Sequence, residues 1–143
     1  MPLQRLVLCF VLLVNACAPS EPIIVTNAWI RAPVPGTATA VGYFDILNRS
    51  GTSIALVGVR STATATIEMH TTQHDGELMQ MRQLDRVDLP EGTAVSFAAG
   101  GRHLMLPRFG DVTTPSIPVT LVFSNASELT VQFELRSAGA TRE

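Results

Sequence analysis

The chain lacks lysine altogether and carries only two cysteines, one tryptophan and one tyrosine among its 143 residues. All ten positive charges are arginines. Set against twelve acids they leave a net charge of −2, and no basic stripe gathers them, so a nucleic-acid partner is not expected. Two cysteines are too few for a disulfide framework or a Cys-rich zinc module. Charged residues make up 15% and apolar residues 46%, a balance that suits a packed core and excludes a disordered chain. No Gly-rich phosphate loop, G-x-S-x-G elbow or H-E-x-x-H motif occurs. The acids are scattered, with no pair placed for general acid–base work. An enzyme is therefore not expected, and the length fits one domain.

The sequence also has no apolar run long enough to span a bilayer. The longest, from Leu6 to Val14 (LVLCFVLLV), follows the single positive charge of Arg5 and ends in Val14-Asn15-Ala16-Cys17. This is the pattern of an export signal, and its end resembles a bacterial lipobox, in which a small residue precedes a Cys that is lipidated. The expected organisation is a signal peptide over 1–16, Cys17 and a short tether over 17–22, a folded domain over 23–137 and a polar tail over 138–143. An ordinary signal peptide cleaved nearby fits the same text. Once the signal is removed, Cys17 is the only cysteine left. A metal site in the domain would have to draw on His, Met and carboxylate.

Beyond residue 22 the pattern is all-β. Runs at 23–30, 39–47, 53–59, 64–72, 77–84, 93–98, 103–106, 117–123 and 129–135 read as strands, separated by turn signals such as Asp75-Gly76, Pro90-Glu91-Gly92 and Gly100-Gly101. In Leu129–Leu135 the apolar residues alternate, with Leu129, Val131, Phe133 and Leu135 on one face. No segment of the domain sustains a helical apolar period. A single β-sandwich or barrel is the expected architecture.

What the chain does have is a concentration. All three His (His70, His74, His103) and every Met after Met1 (Met69, Met79, Met81, Met105) lie between residues 69 and 105. If Asp75-Gly76 forms a two-residue hairpin loop, His74 pairs with Glu77, Thr72 with Met79 and His70 with Met81. His70 and Met81 then face each other on one side of the hairpin. His103 and Met105, two apart on a strand, share a face, with Leu104 and Leu106 turned to the core. Two imidazoles and two thioethers make a soft, neutral ligand set that favours Cu(I) over zinc, calcium or magnesium. A blue-copper electron carrier would need a Cys thiolate. Met as core filler and His as a surface residue remain open on composition and pairing alone. Met79 shares the face of Met81, and His74 that of His70. Both are possible outer partners of a site, although His74 also reads as a turn residue. Met69 points the other way, toward the core, and Trp29 reads as a core anchor.

The four residues His70, Met81, His103 and Met105 spell H-x10-M-x21-H-x-M, and this matches the motif of the PCuAC family of periplasmic copper chaperones. Flanking text is similar to that family as well: Asn27-Ala28-Trp29-Ile30-Arg31-Ala32-Pro33, Val41-Gly42-Tyr43-Phe44 with Asn48, Met79-Gln80-Met81-Arg82, and Gly100 through Leu106. The likeness covers about residues 24–124. It implies a cupredoxin-like (Ig-like) β-sandwich binding one Cu(I) per chain through His70, Met81, His103 and Met105. It also implies copper delivery in the bacterial envelope, toward the copper centre of cytochrome c oxidase or another copper chaperone. The chain is then expected as a monomer on the periplasmic side, held to the membrane through Cys17. Some members carry a His- and Met-rich C-terminal tail that can hold Cu(II); this chain ends in SAGATRE, with neither residue, so that second site is not expected. Envelope copper buffering, and a structural or interaction β-sandwich without metal, are the two rival readings.

Overall fold

The computed structural model describes residues 22–76 and 78–141, so the expected signal peptide, Cys17 and most of the tether lie outside the described residues. Ten strands follow one another: β1 (Ile23–Arg31), β2 (Ala40–Asn48), β3 (Ile54–Ser61), β4 (Glu68–Asp75), β5 (Leu78–Leu84), β6 (Val87–Leu89), β7 (Ala94–Phe97), β8 (Arg102–Leu106), β9 (Ser116–Phe123) and β10 (Glu128–Arg136). They join in one sheet of order β5-β4-β8-β2-β1-β10-β9-β3-β6, with β7 added against β2. All pairings are antiparallel except that of β1 with β10. No helix occurs among the described residues. The expected all-β, cupredoxin-like class is the one observed, as a single sheet curled around its apolar face.

Alternation builds that face. In β2, Ala40, Phe44 and Ile46 are buried, and in β9, Ile117, Val119, Leu121 and Phe123. In β8, Leu104 and Leu106 are fully buried, while Met69 of β4 joins the same cluster. Phe44 stacks on Phe97 with ring centroids 4.3 Å apart and meets Phe133 edge-on at 5.6 Å. Asn48, wholly buried, donates from Nδ2 to the carbonyls of Thr52 and Leu89, and its Oδ1 accepts from the Ser50 amide. Its polar groups are thus satisfied where an unpaired amide would be costly.

One irregularity matters for the site. β1 carries a bulge between Thr26 and Trp29, where Asn27 takes a positive φ of 52° and donates to Asp45 Oδ2 at 2.8 Å. An extra residue changes which side chains face inward. Ile23 is buried before the bulge and Ile30 after it, although alternation alone would put them on opposite faces. The bulge therefore turns Trp29 to the outer face, opposite Tyr43.

Three sequence expectations need correction. The strand read at 64–72 begins only at Glu68, because Thr64 is tied by its hydroxyl to the Pro107 carbonyl in an irregular segment. The short β6, ending just before Pro90, was not expected. The hairpin is also set differently. Asp75 is the last residue of β4 and pairs with Leu78, His74 pairs with Met79, Thr72 with Met81 and His70 with Gln83. Gly76, at φ 63°, opens the turn, and the register is displaced by two residues from the expected one. A two-residue shift preserves the face, so His70 and Met81 are diagonal neighbours on one side rather than directly opposed.

β8 is seated against β2 at Gly42, where an added Cβ would lie 3.1 Å from the Leu104 Cβ. Gly42→Ala is expected to cost about 1–3 kcal/mol by forcing Leu104 away. Urea denaturation checks this as a lower midpoint at unchanged slope; an unaltered midpoint would refute the close packing of β2 on β8.

Candidate metal centre

The candidate site lies on the outer face of β5, β4 and β8. Across β4 and β8, His70 pairs directly with His103, and Met69 with Leu104. Since Met69 and Leu104 enter the core, the two histidines point away from it. Their ring centroids are 5.9 Å apart at an angle of 33°. Met105, two residues beyond His103, stands opposite Glu68. Met81, on β5, stands opposite Thr72. The two thioethers thus occupy opposite diagonals about the histidine pair, on the same face. Met69 does not belong to the group and packs in the core.

Each imidazole has one nitrogen committed. His103 Nδ1 lies 3.0 Å from the Gly101 carbonyl. A carbonyl only accepts, so Nδ1 carries the hydrogen, and in the neutral ring Nε2 keeps the free lone pair. His70 Nε2 lies 2.8 Å from Glu68 Oε2, so Nε2–H donates to the carboxylate. That leaves His70 Nδ1 as an acceptor, buried and without a hydrogen-bond partner. An unsatisfied buried acceptor costs about 1–3 kcal/mol. Its presence here, beside a second free imidazole nitrogen, is the arrangement by which an outer carboxylate or carbonyl orients a metal-binding histidine. Among the described residues no three His, Cys, Asp or Glu side chains gather as a metal-holding group.

Burial is greatest at the two histidines and least at the sheet edge. His103 is 7% exposed, the His70 side chain 14%, Met105 is half-buried, and Met81 is 57% exposed at the sheet edge. Burial lowers the His103 pKa below the ordinary 6.5, against an opposing effect of the Gly101 hydrogen bond, and electrostatic interaction with His70 and with Arg31 lowers it further. Arg31 belongs to a stacked group on the same outer face. Its guanidinium lies 5.7 Å from the Tyr43 ring centroid, Tyr43 lies 4.8 Å from Trp29, and the Arg136 guanidinium lies 5.0 Å from Trp29. Trp29 and Tyr43 are nearly fully buried by these neighbours, yet stand outside the main apolar cluster. Trp29 is buried, as expected of an anchor, but in this cation–π stack rather than in the main apolar cluster.

The sequence reading missed Glu68, Gly101 and Arg31 as parts of the site. Strand parity was the available signal for Glu68 and Gly101, which stand two residues before His70 and His103. Arg31 lies in the family-like stretch 27–33, but no spacing relates it to the histidines; it is brought close by the β1–β2–β8 pairings.

Comparison with known proteins identifies the domain. Residues 23–135 match the model of the LpqE-like family, described as "Putative lipoprotein LpqE-like". The chain belongs to the LpqE-like family. A relative described as "Putative lipoprotein Lxx21020", from Leifsonia xyli subsp. xyli, is 27% identical over 128 residues, spanning 87% of this chain and 75% of the relative. Among solved structures, the copper-bound PCuAC domain from PmoF2 is 25% identical with a TM-score of 0.69, over 82% of this chain and 94% of that one. The solution structure of the Cu(I) form of DR1885 from Deinococcus radiodurans shares the fold, with 21% identity and a TM-score of 0.66 over 85% of this chain and 83% of that one. This LpqE-like chain therefore carries a domain of PCuAC type, as its sequence motif implies.

The depressed His103 pKa has a consequence for the metal-free protein. The unfolded chain takes up a proton near the ordinary pH of about 6.5, whereas the folded one resists it. Stability is expected to fall as pH drops through about 6.5 and to stop falling below the folded pKa. His103→Gln should flatten that dependence. Urea midpoints measured for both proteins across pH 4–8 check this, and parallel profiles would refute it.

Proposed function

We propose that this LpqE-like protein is a copper carrier of the bacterial envelope. It binds one Cu(I) as cargo through His70, Met81, His103 and Met105 and hands it to a partner protein. The observation that carries this reading is the opposed pair of imidazoles. Each has one nitrogen tied by Glu68 or Gly101 and the other free, and the free one on His70 is buried without a partner. Thioethers at both diagonals complete a soft, uncharged donor set suited to a monovalent soft ion. Arg31, near enough to depress the His103 pKa, adds positive charge that weighs against a doubly charged ion more than a singly charged one.

Two further points support delivery. Met81 stands at the exposed edge of β5, where a partner's ligands could replace it first. Copper is present in the related PmoF2 domain, and the Cu(I) form of DR1885 has the same fold. Copper handling is thus compatible with this scaffold. The lipoprotein descriptions of the family and of the Leifsonia xyli relative agree with a signal over 1–16, lipidation at Cys17 and a tether over 17–22. On this reading the domain over 23–137 works at the periplasmic side as a monomer, with the polar tail 138–143 taking no part in binding. Its partners are a copper donor and an acceptor, such as a cytochrome c oxidase subunit or another copper chaperone, and it carries metal without catalysing a reaction.

Competition with a Cu(I) chelator tests the site. His103→Ala and Met81→Leu should each weaken binding while the circular dichroism of the apo protein stays unchanged. Glu68→Ala should cost about 10–100-fold, the usual loss when an outer partner of a ligand histidine is removed. Unaltered affinity in both ligand variants would reject the proposal.

A further inference from the structure

The outer face of the hairpin continues past the His70–His103 pair. His74 and Met79, at the last paired positions before the Asp75–Leu78 closure, stand directly opposite each other. Directly opposed side chains on one face have Cβ atoms about 4.5–5.5 Å apart. An imidazole and a thioether at that distance can grip one ion between them. Both residues are exposed, Met79 at 66%. Met79 makes no core packing, so the ordinary role of a strand Met as filler does not apply to it. Met81 lies two residues further along β5 on the same face, between Met79 and the histidine pair. The side chains on this face of the hairpin are Glu68, His70, Thr72 and His74 from β4 and Gln83, Met81 and Met79 from β5. Of the described residues, those on this face from Met81 to the tip are Thr72, His74, Met79 and Met81.

We propose that His74 and Met79 form a second, weaker Cu(I) site at the hairpin tip, with Met81 as the shared ligand through which the ion moves to or from His70 and His103. The inference rests on the copper-carrier reading and adds a second ion to the one implied by the motif. Successive thioethers at strand spacing of about 6–7 Å let each ligand exchange occur before the previous contact is lost, so the ion never leaves soft donors. Weak binding follows from geometry: two exposed side chains must be ordered from solvent to hold the ion, and only His103 and His70 have buried, pre-oriented nitrogens.

Anaerobic Cu(I) titration of the whole protein against a weak and a strong chelator separates the two sites. The wild type should retain two Cu(I) against the weak competitor and one against the strong. His74→Ala and Met79→Leu should each lose the weakly held ion and leave the affinity of the other within about twofold, or 0.4 kcal/mol. His103→Ala should lose the tight ion and keep the hairpin one. In methyl NMR spectra, the Met79 resonance should move with the second equivalent and that of Met105 with the first. A single ion in the wild type under weak competition would overturn the second site alone. So would a tenfold weakening of the tight ion in Met79→Leu, which would make Met79 a ligand of the inner site. Failure of the wild type to hold any Cu(I) would overturn both readings together.

Discussion

The antiparallel register of β4 against β8 is the constraint on which the site depends. It places Met69 opposite Leu104 on the inner face and His70 opposite His103 on the outer one. A slip of one residue would exchange these sets, driving two imidazoles into an apolar cluster and two large hydrophobes into water. The core thus enforces the direction of the two histidines. Leu104 and Leu106 are fully buried, and Leu104 is held by the close approach of Gly42 on the neighbouring strand. The face that carries the two histidines is a by-product of packing on its reverse side, and its geometry is as rigid as that packing.

Rigidity alone would leave the imidazoles free to rotate. The Gly101 carbonyl and the Glu68 carboxylate remove that freedom, each holding one ring nitrogen, and each belongs to the residue two before the histidine it holds. Strand alternation therefore delivers each histidine and its orienting partner together. The arginine–aromatic stack closes the other flank. Trp29 reaches it only because the bulge at Asn27 changes the parity of β1. A local backbone irregularity some distance along the sequence from any candidate ligand thus determines which charges surround His103.

Much of this was legible in the chain. Alternation and turn residues located nine of the ten strands, and period-two parity correctly divided Met69 from His70, and Leu104 from His103 and Met105. The hairpin register was not legible. Asp-Gly marks a turn, but two-residue loops accept Gly at either central position, so Asp75 could be in the loop or in the strand. The two choices keep the same faces and change the opposite neighbours, which is why His74 meets Met79 rather than Glu77. The three-residue β6 is too short for any periodicity. The role of Trp29 was hidden because a bulge leaves no reliable mark in a single sequence.

The edge position of β5 gives the hairpin a character different from the rest of the sheet. β5 pairs only with β4, and most of its residues are exposed. A strand held on one side, with little apolar burial, opens at lower free energy than the core. An ion bound by Met81 on β5 and by His103 and Met105 on β8 would tie together two strands that never pair with each other, across β4. Binding would therefore stabilise the hairpin, and fraying of the hairpin would loosen the ion. Of the four proposed ligands, Met81 is the most exposed and stands on a strand held on one side only, so release would begin there while the buried imidazole of His103 keeps its hold until another ligand has taken the vacant place.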